Sequence, residues 1–281
     1  MALIGVVVKE LTGPLGPQAT FIAALKNLKL IIRLVRREVE GRYRGSILGI
    51  LWAFLMPVFL LSVYTFVFSV VFSVRWGASG GSRVEFALLL YSGLLIYNIF
   101  NECLSGAPSL MLANSTYIKK VIFPIEILPW VSLLSATINA CIGFFILMLG
   151  YLVIVGVPPW TVLLIPIICM PVLLMSLGLA LFFASIGVFV RDTQQFIGLL
   201  TMTVLFMTPI FYPLSAIPVE YQWIGKLNPL AIAIEQCREA LFQGRLPQLA
   251  ALLGNFALSL VIAWLGNAWF MKTKKGFADV I

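Results

Sequence analysis

The sequence predicts an all-α polytopic membrane protein with six transmembrane helices. Of its 281 residues, 61% are apolar and only 11% are charged, whereas an ordinary soluble domain has about 45–50% apolar and about 25% charged residues. A helix needs roughly 20 consecutive apolar residues to cross a hydrocarbon core of about 30 Å, and six stretches meet this length. We expect the spans at Ile47 to Val74, Phe86 to about Met111, about Ile127 to Val157, Trp160 to Val190, about Phe196 to Tyr212, and about Leu249 to Met271.

Prolines affect the expected shape of the fourth span and the expected limits of the fifth. Pro166 and Pro171 lie inside the fourth span and are expected to bend it. Pro209 and Pro213 bound the fifth span, so that segment either crosses the membrane or forms a re-entrant element. No internal repeat is visible, so the sequence does not favour a secondary transporter built from inverted repeats.

The positive charges orient the chain in the membrane. With a cytoplasmic N-terminus, the inside segments hold 14 of the 19 Lys and Arg residues and the outside segments hold five. Cytoplasmic segments carry the excess of Lys and Arg in membrane proteins, so we expect both termini in the cytoplasm. The net charge of +8 then reflects topology, and a nucleic-acid partner is not needed to explain it. The predicted organisation is a cytoplasmic N-terminus (1–46), a permease domain (47–271) and a cytoplasmic tail (272–281).

An amphipathic helix is predicted before the first span. Its apolar side chains recur at steps of three or four, at Phe21, Leu25, Leu28, Ile32, Val35 and Val39. Lysines and arginines follow one flank, which is typical of a helix lying in the membrane surface. A cytosolic helix packed on a partner protein is the alternative.

A second amphipathic helix is predicted outside the membrane, between the fifth and sixth spans. Asn228 and Pro229 form a helix start and Gly244 a helix stop, so we expect a helix over 229–243. Its apolar face holds Leu230, Ile234, Cys237 and Leu241. We expect Glu235, Arg238 and Glu239 on the opposite, polar face. Together with a shorter helical turn beginning at Pro218, this predicts short helices on the outer side over about 214–244.

Catalytic and metal-binding patterns are mostly absent from the sequence. It contains no histidine, which removes the commonest general base and zinc ligand. Its four cysteines lack C-x-x-C spacing, and neither G-x-x-x-x-G-K-[ST] nor G-x-S-x-G occurs. We therefore expect neither catalytic residues nor a metal or cofactor site in this chain.

Glu102 is the one carboxylate expected within the bilayer. A charge there costs at least ~2.5 kcal/mol, so it should face the bundle interior or a wet cavity, or lie closer to the membrane interface than the predicted span boundary implies. Without a histidine or lysine partner it would be a poor proton relay. A structural hydrogen bond to a neighbouring helix and a transport role both stay open.

Aromatic residues and two charged loops are the remaining candidates. Aromatic rings suit both lipid contact and the C–H faces of sugars, so lipid-facing packing and a channel lining stay open for Tyr64, Phe68, Phe72, Tyr97, Phe100, Phe206, Phe211 and Tyr212. The cytoplasmic loop 114–129 and the Arg191–Asp192 turn are candidates for docking a cytosolic partner. Ordinary solvated connectors are the alternative.

Five segments together resemble a known transporter family. They are RREVEGRYRGSILGILWAFLMPVFLLSVYTFVF (36–68), IKKVIFPIEILP (118–129), the Arg191–Asp192 turn, TPIFYPLSAIP (208–218) and Asn228-Pro229-Leu230. In this order and spacing they are similar to the type 2 ABC transporter permeases of the polysaccharide and O-antigen export family. The resemblance covers nearly the whole chain.

The resemblance implies a homodimer of six-helix permeases with two copies of a separate ABC ATPase subunit, which binds the ATP and Mg²⁺. It implies a cytoplasmic interfacial helix at residues 21–44, a coupling helix at about 114–123 and periplasmic helices at about 214–244. The implied substrate is an undecaprenyl-diphosphate-linked polysaccharide, threaded from cytoplasm to periplasm across the bacterial inner membrane. The implied ATPase-coupling residues are Tyr117, Ile118, Lys119, Lys120, Val121, Phe123, Arg191 and Asp192. We further hypothesise that Arg36, Arg37, Arg42 and Arg44 attract the lipid diphosphate.

Two other functions remain open. A sibling exporter of the same fold would carry teichoic acid, a lipid or a drug. A polytopic transferase acting on lipid-linked sugars would need a bound metal or paired carboxylates at the membrane face, and the lack of histidine and of clustered acids counts against it.

Overall fold

In the computed structural model, the described residues are 18–67, 83–118 and 123–280, and these are helical with short connections. Among the residues with predicted roles, Phe68, Phe72, Lys119, Lys120 and Val121 lie outside the described ranges. The all-α prediction is confirmed for the described part of the chain. Its α-helices are α1 (Gln18–Lys26), α2 (Leu28–Tyr43), α3 (Trp52–Phe66), α4 (Arg83–Ala113), α5 (Ser115–Ile118), α6 (Leu128–Ile154), α7 (Ile165–Phe189), α8 (Thr193–Met207), α9 (Gln222–Leu227), α10 (Pro229–Phe242), α11 (Leu249–Thr273) and α12 (Phe277–Val280).

Within the described ranges, four helical segments are long and apolar enough to cross a membrane: Glu85–Ala113, Ile125–Ile154, Trp160–Phe189 and Leu249–Gly276. They coincide with the predicted second, third, fourth and sixth spans. The fourth begins with a 3₁₀ turn, Trp160–Leu164, and keeps Pro171 inside its α-helix.

The predicted first and fifth spans correspond to the shorter apolar helices α3 and α8, each of 15 residues. At 1.5 Å per residue α8 is about 22 Å long, short of a hydrocarbon core of about 30 Å. Residues 68–74 of the predicted first span lie outside the described residues, so the 15 residues of α3 do not give the length of that span. The α8 helix ends where Thr208 adopts extended backbone, the conformation that a following proline favours. Whether the fifth segment crosses or is re-entrant therefore stays open, and six spans remain a prediction.

Close helix packing depends on glycines that face a neighbouring backbone. Gly178 of α7 lies against the backbone of Ala263 in α11, and Gly266 of α11 lies against Gly178 in turn. Gly187 of α7 lies against the backbone of Pro108 in α4. Small residues let helix backbones approach in this way within membranes, so these contacts fix α4, α7 and α11 as one unit.

The amphipathic α2 packs on the start of α6. Its side chains Ile31, Leu34 and Val35 are buried in a small apolar cluster with Ile127 and Val131. Five other apolar side chains of α1 and α2 are exposed: Phe21, Ile22, Leu25, Leu28 and Ile32. Of the predicted apolar positions, Val35 and Val39 therefore pack in this cluster. The others are exposed in the single chain, although the Phe21 ring lies 5.9 Å from that of Trp130.

Part of the predicted tail is packed against the helices. Lys274 Nζ donates to Glu126 Oε2 at 2.5 Å, which ties the end of α11 to the start of α6. Phe277 is fully buried, and its ring lies 5.9 Å from that of Phe189 and 5.5 Å from that of Phe270. The residues following α11 thus hold the ends of α6, α7 and α11 together.

Candidate functional site

At the predicted cytoplasmic end, α2 contacts the loop that follows α4. Arg37 Nη1 donates to the hydroxyl of Tyr117 at 2.6 Å, and its guanidinium carbon is 5.7 Å from the centre of that ring. The Tyr117 ring stacks on Phe123, with centroids 4.5 Å apart and planes at 18°. Arg37, predicted to attract a lipid diphosphate, is therefore joined to two residues predicted to couple to the ATPase.

Arg42 of α2 reaches into the helix bundle. It forms ion pairs with Glu102 of α4 and with Glu38 of its own helix, the latter at 3.3 Å. Burial lowers the pKa of Arg42, but the attraction of these two carboxylates outweighs burial, and the pKa is raised overall. Sequence reasoning missed this partner because Arg42 lies 60 positions from Glu102 and precedes the first span.

Glu102 also joins two spans, as the structural alternative predicted. Asn139 Nδ2 of α6 donates to both of its carboxylate oxygens, at 3.0 and 3.2 Å. The predicted hydrogen bond to a neighbouring helix is therefore confirmed, and a transport role stays open. Arg42, Glu102 and Asn139 connect α2, α4 and α6 in one polar network.

The other predicted phosphate-binding arginines are exposed. Arg36 Nε donates to Glu40 Oε1 at 2.7 Å on the surface of α2, and Arg44 follows the end of that helix. An exposed pair of this kind contributes about 0–1 kcal/mol, so Glu40 would not prevent Arg36 from binding an anion. The diphosphate role of all four arginines stays a prediction.

The turn between α7 and α8 lies near the same end of the bundle. Arg191 and Asp192 are exposed there, and the Asp192 carbonyl accepts the N–H of Gln195 at 3.1 Å. Next to them, Gln194 Nε2 donates to the Ser105 carbonyl of α4 at 3.0 Å. This places the predicted Arg191–Asp192 docking turn against the helix that leads to Tyr117. The side chain of Ile118, another coupling candidate, is not described.

The predicted channel aromatics fall into different environments. Tyr97 and Phe100 are each 4% exposed, and the Tyr97 hydroxyl donates to the Thr201 carbonyl of α8 at 2.8 Å. Phe206 is 57% exposed, and its ring centre lies 6.1 Å from that of Phe211. The two buried rings pack between helices of this chain, whereas Phe206 presents its face outward.

Two further aromatic candidates lie close to the chain surface. Tyr64 of α3 is half-buried against the core. The Tyr212 hydroxyl donates to the Phe206 carbonyl at 2.6 Å, which folds the chain back on the end of α8. The channel-lining role of the predicted set stays a prediction.

The limits predicted for the outer helix, 229–243, are confirmed by α10 (Pro229–Phe242). Asn228 Oδ1 accepts the N–H of Leu230 at 3.0 Å as the helix cap, and Gly244 has a positive φ of 63° just past the end. Asn228 Nδ2 also donates to Thr208 Oγ1 at 2.9 Å. The same residue therefore starts α10 and holds it to the end of α8.

Arg238 does not lie on the predicted polar face of α10, and this prediction is wrong. It is 5% exposed and donates three hydrogen bonds to carbonyls of other segments: Nε to Leu89 at 3.1 Å, Nη1 to Pro209 at 2.9 Å and Nη2 to Ile210 at 2.8 Å. Because α8 ends before Pro209, the carbonyls of Pro209 and Ile210 lack helical partners, and the planar guanidinium supplies donors for them. The Leu89 carbonyl lies inside α4 and also accepts the Ser92 hydroxyl at 2.7 Å.

The guanidinium of Arg238 is accommodated by a glycine in α4. A Cβ added at Gly93 would lie 2.8 Å from Arg238 Nη2. Burial lowers the pKa of Arg238 to about 10, so the side chain stays charged at neutral pH. Arg238 thus joins α4, α8 and α10 on the predicted outer side.

The chain matches the ABC-2 type transporter family over residues 29–242. It is 31% identical over 259 residues to the O-antigen export system permease protein RfbA of Myxococcus xanthus, with 90% of this chain and 95% of that protein covered. A protein of the same name from Klebsiella pneumoniae is 26% identical with the same coverage. The polysialic acid transport protein KpsM of Escherichia coli is 23% identical, with 84% of this chain and 90% of that protein covered.

Proposed function

This chain belongs to the ABC-2 type transporter family, and on that premise we propose that it is the permease subunit of a bacterial polysaccharide exporter. The observation that carries the proposal is the match over 95% of permeases named for O-antigen export. The substrate is an undecaprenyl-diphosphate-linked polysaccharide of the O-antigen type, moved from cytoplasm to periplasm across the inner membrane. A separate ATPase subunit binds ATP and Mg²⁺, and this chain catalyses no reaction of its own.

The ATPase docks on the predicted coupling segment. Arg37, Tyr117 and Phe123 form a continuous contact between that segment and α2. From α2, the ion pair of Arg42 with Glu102 continues into the bundle. A displacement of the coupling segment by the ATPase therefore reaches a membrane-spanning helix through packed and charged contacts. The functional assembly contains two copies of this chain and two ATPase subunits.

The interfacial helix binds the membrane surface and the lipid diphosphate. Its exposed apolar side chains, including Phe21, Leu25 and Ile32, supply a face for lipid. Arg36 and Arg44 remain exposed beside that face. Clustered arginines attract phosphate groups through charge-assisted hydrogen bonds, which suits a diphosphate at the membrane surface.

Replacing Tyr117 with Ala is expected to reduce polymer export at least tenfold. The variant loses the hydrogen bond from Arg37 and the stack on Phe123, so the coupling segment and α2 no longer move together. The measurement is the amount of polymer on the cell surface per amount of chain in the membrane. The control is Tyr221→Ala, which removes an exposed tyrosine of the outer segment and should leave export unchanged. Equal export by the two variants would contradict the coupling role.

Dependence on an ATPase tests the proposed function directly. The chain is expected to co-purify with a subunit that carries a G-x-x-x-x-G-K-[ST] motif, and replacing Lys119, Lys120 and Phe123 should weaken that association. Inverted membrane vesicles containing both subunits should take up lipid-linked polymer only with hydrolysable ATP. Transport by this chain alone, or glycosyl transfer by the purified chain, would overturn the proposal.

A capsule-type polymer is the second candidate substrate. The match to a polysialic acid transport protein favours it, although the identity is lower than for the O-antigen permeases. Identifying the polymer that accumulates inside cells lacking this chain distinguishes the two, and would equally reveal teichoic acid or another lipid.

A further inference from the structure

A cavity of 450 Å³ lies between α3, α4 and α6, and its lining contains five polar side chains, two of which are Glu102 and Asn139 of the polar network. Four of them come from α4 at helical spacing, and one comes from α6. They are Asn98, Asn101, Glu102, Ser105 and Asn139, and we name this set the polar groove. The α4 positions follow i, i+3, i+4 and i+7, so they share one face of an otherwise apolar span.

Part of the hydrogen-bonding capacity of the polar groove is unused within the chain. Ser105 Oγ donates to Asn101 Oδ1 at 3.1 Å, and Asn139 Nδ2 is engaged by Glu102. Asn139 Oδ1 is buried without a hydrogen-bond partner among the described residues. Asn98 is exposed along the same face. The groove therefore presents amide groups, which both donate and accept hydrogen bonds.

The charge of the groove is compensated. Arg42 pairs with Glu102, so the carboxylate does not present an isolated negative charge to an occupant. A groove with neutral amides and a neutralised carboxylate suits an uncharged, hydroxyl-rich chain better than a cation.

Because the polar groove lies within a predicted membrane span, its polarity restricts what can occupy it. Amides facing hydrocarbon without partners are costly, so the natural occupant of the groove must form hydrogen bonds. From Tyr91 to Ser105, both in the lining, α4 rises about 21 Å at 1.5 Å per residue. The lining thus extends across much of the bilayer, with apolar residues towards Tyr91 and the polar groove towards the predicted cytoplasmic side.

We propose that the polar groove binds hydroxyl groups of the exported polysaccharide and forms part of its path through the membrane. This inference rests on the proposed function and deepens it, because it names the side chains that contact the substrate. Hydroxyls of the sugar would bond to the side-chain amides of Asn98 and Asn101, which line the cavity. A second copy of this chain is the other occupant that such a face would fit, and the experiment must separate the two.

Photo-cross-linking in intact transporter complexes tests the occupant. The photoreactive amino acid p-benzoylphenylalanine is placed at Asn98, and cells that make their own polymer are irradiated. The chain should then run as a ladder detected by antiserum against that polymer. The matched control is Leu258, which is exposed on α11 and should give no ladder.

The outcomes separate this inference from the proposed function. A discrete band of two joined chains at position 98 means that a second copy occupies the groove, which overturns the inference. A ladder from Phe206 but not from Asn98 also overturns it, while the proposed function stands. If neither position captures polymer and cells lacking the chain display normal surface polymer, the proposed function fails as well.

A loss-of-function pair gives the second measurement. The double variant Asn98→Leu and Asn101→Leu keeps the side-chain size but loses the amides, and export should fall at least tenfold with the ATPase complex intact. Asn98→Gln retains an amide and should export within about twofold of the parent chain. The control Thr203→Val removes a hydroxyl on the exposed side of α8 and should export normally. Full export by the double variant would overturn the inference.

Discussion

Replacing Arg238 with Met is expected to destabilise the chain by about 2–6 kcal/mol, because the carbonyls of Pro209 and Ile210 lose their donor and each unsatisfied buried group costs about 1–3 kcal/mol. Methionine fills much of the space left by the arginine stem but donates no hydrogen bond. The carbonyls of Pro209 and Ile210, just beyond the end of α8, would then lack the hydrogen-bond donor that Arg238 supplies. The measurement is the fraction of detergent-solubilised chain that remains monodisperse after heating.

The control for this prediction is Arg245→Met. Arg245 is exposed just beyond α10, so its replacement makes the same change of charge and size and should shift the melting temperature by less than 2 °C, corresponding to about 0.5 kcal/mol or less. A lysine at position 238 keeps the charge but cannot supply the planar fork of donors, and should recover only part of the stability. Equal melting temperatures for Arg238→Met and Arg245→Met would contradict the role assigned to Arg238.

Replacing Gly266 with Ala is expected to cost about 3 kcal/mol or more, although it adds a single methyl group. That methyl would overlap the carbonyl oxygen of Gly178 and lie 2.6 Å from its carbonyl carbon. Both are backbone atoms and cannot rotate away, so α7 and α11 must separate. Overpacking typically costs about 1–3 kcal/mol and occasionally more, and this helix pair has the most extensive contact in the described chain.

The same helix offers the matched control. A Cβ at Gly254 of α11 has open space around it, so Gly254→Ala should be neutral or stabilising, because alanine is the better helix former. The comparison uses the melting temperature and the yield of folded chain from membranes. If Gly266→Ala and Gly254→Ala behave alike, the close approach of α7 and α11 is not required for stability.

The sequence predicts much of the local structure because the signals lie within each element. Hydropathy places the four long spans near their observed limits, since each is a continuous apolar run. The helix predicted at 229–243 appears as Pro229–Phe242, because Asn228 and Gly244 specify its ends by local chemistry.

The sequence does not predict the contacts between helices. A helical projection assigns Arg238 to a polar face, because it considers only α10 and its neighbours Glu235 and Glu239. The need for a donor arises elsewhere, where α8 stops before Pro209 and leaves carbonyls unpaired. The break at Thr208-Pro209 and the glycine at position 93 are the signals that together point to a buried arginine.

The same limit applies to Glu102. The free-energy cost of placing its carboxylate within the bilayer correctly predicts a polar partner, and Asn139 on the next span is such a partner. Its charged partner Arg42 comes from a helix that the sequence assigns to the membrane surface, where lipid phosphates would be the expected partners. Only the packing of α2 against α6 brings that arginine to the carboxylate.

The most direct test of the central claim is the location of lipid-linked polymer in cells that lack this chain. We expect the polymer to accumulate on the cytoplasmic side, still attached to its undecaprenyl diphosphate, and to disappear from the cell surface. The parent chain should restore the surface polymer only when the partner ATPase can hydrolyse ATP. Normal surface polymer without this chain, or restoration with a hydrolysis-deficient ATPase, would contradict its assignment as the permease of an ATP-driven polysaccharide exporter.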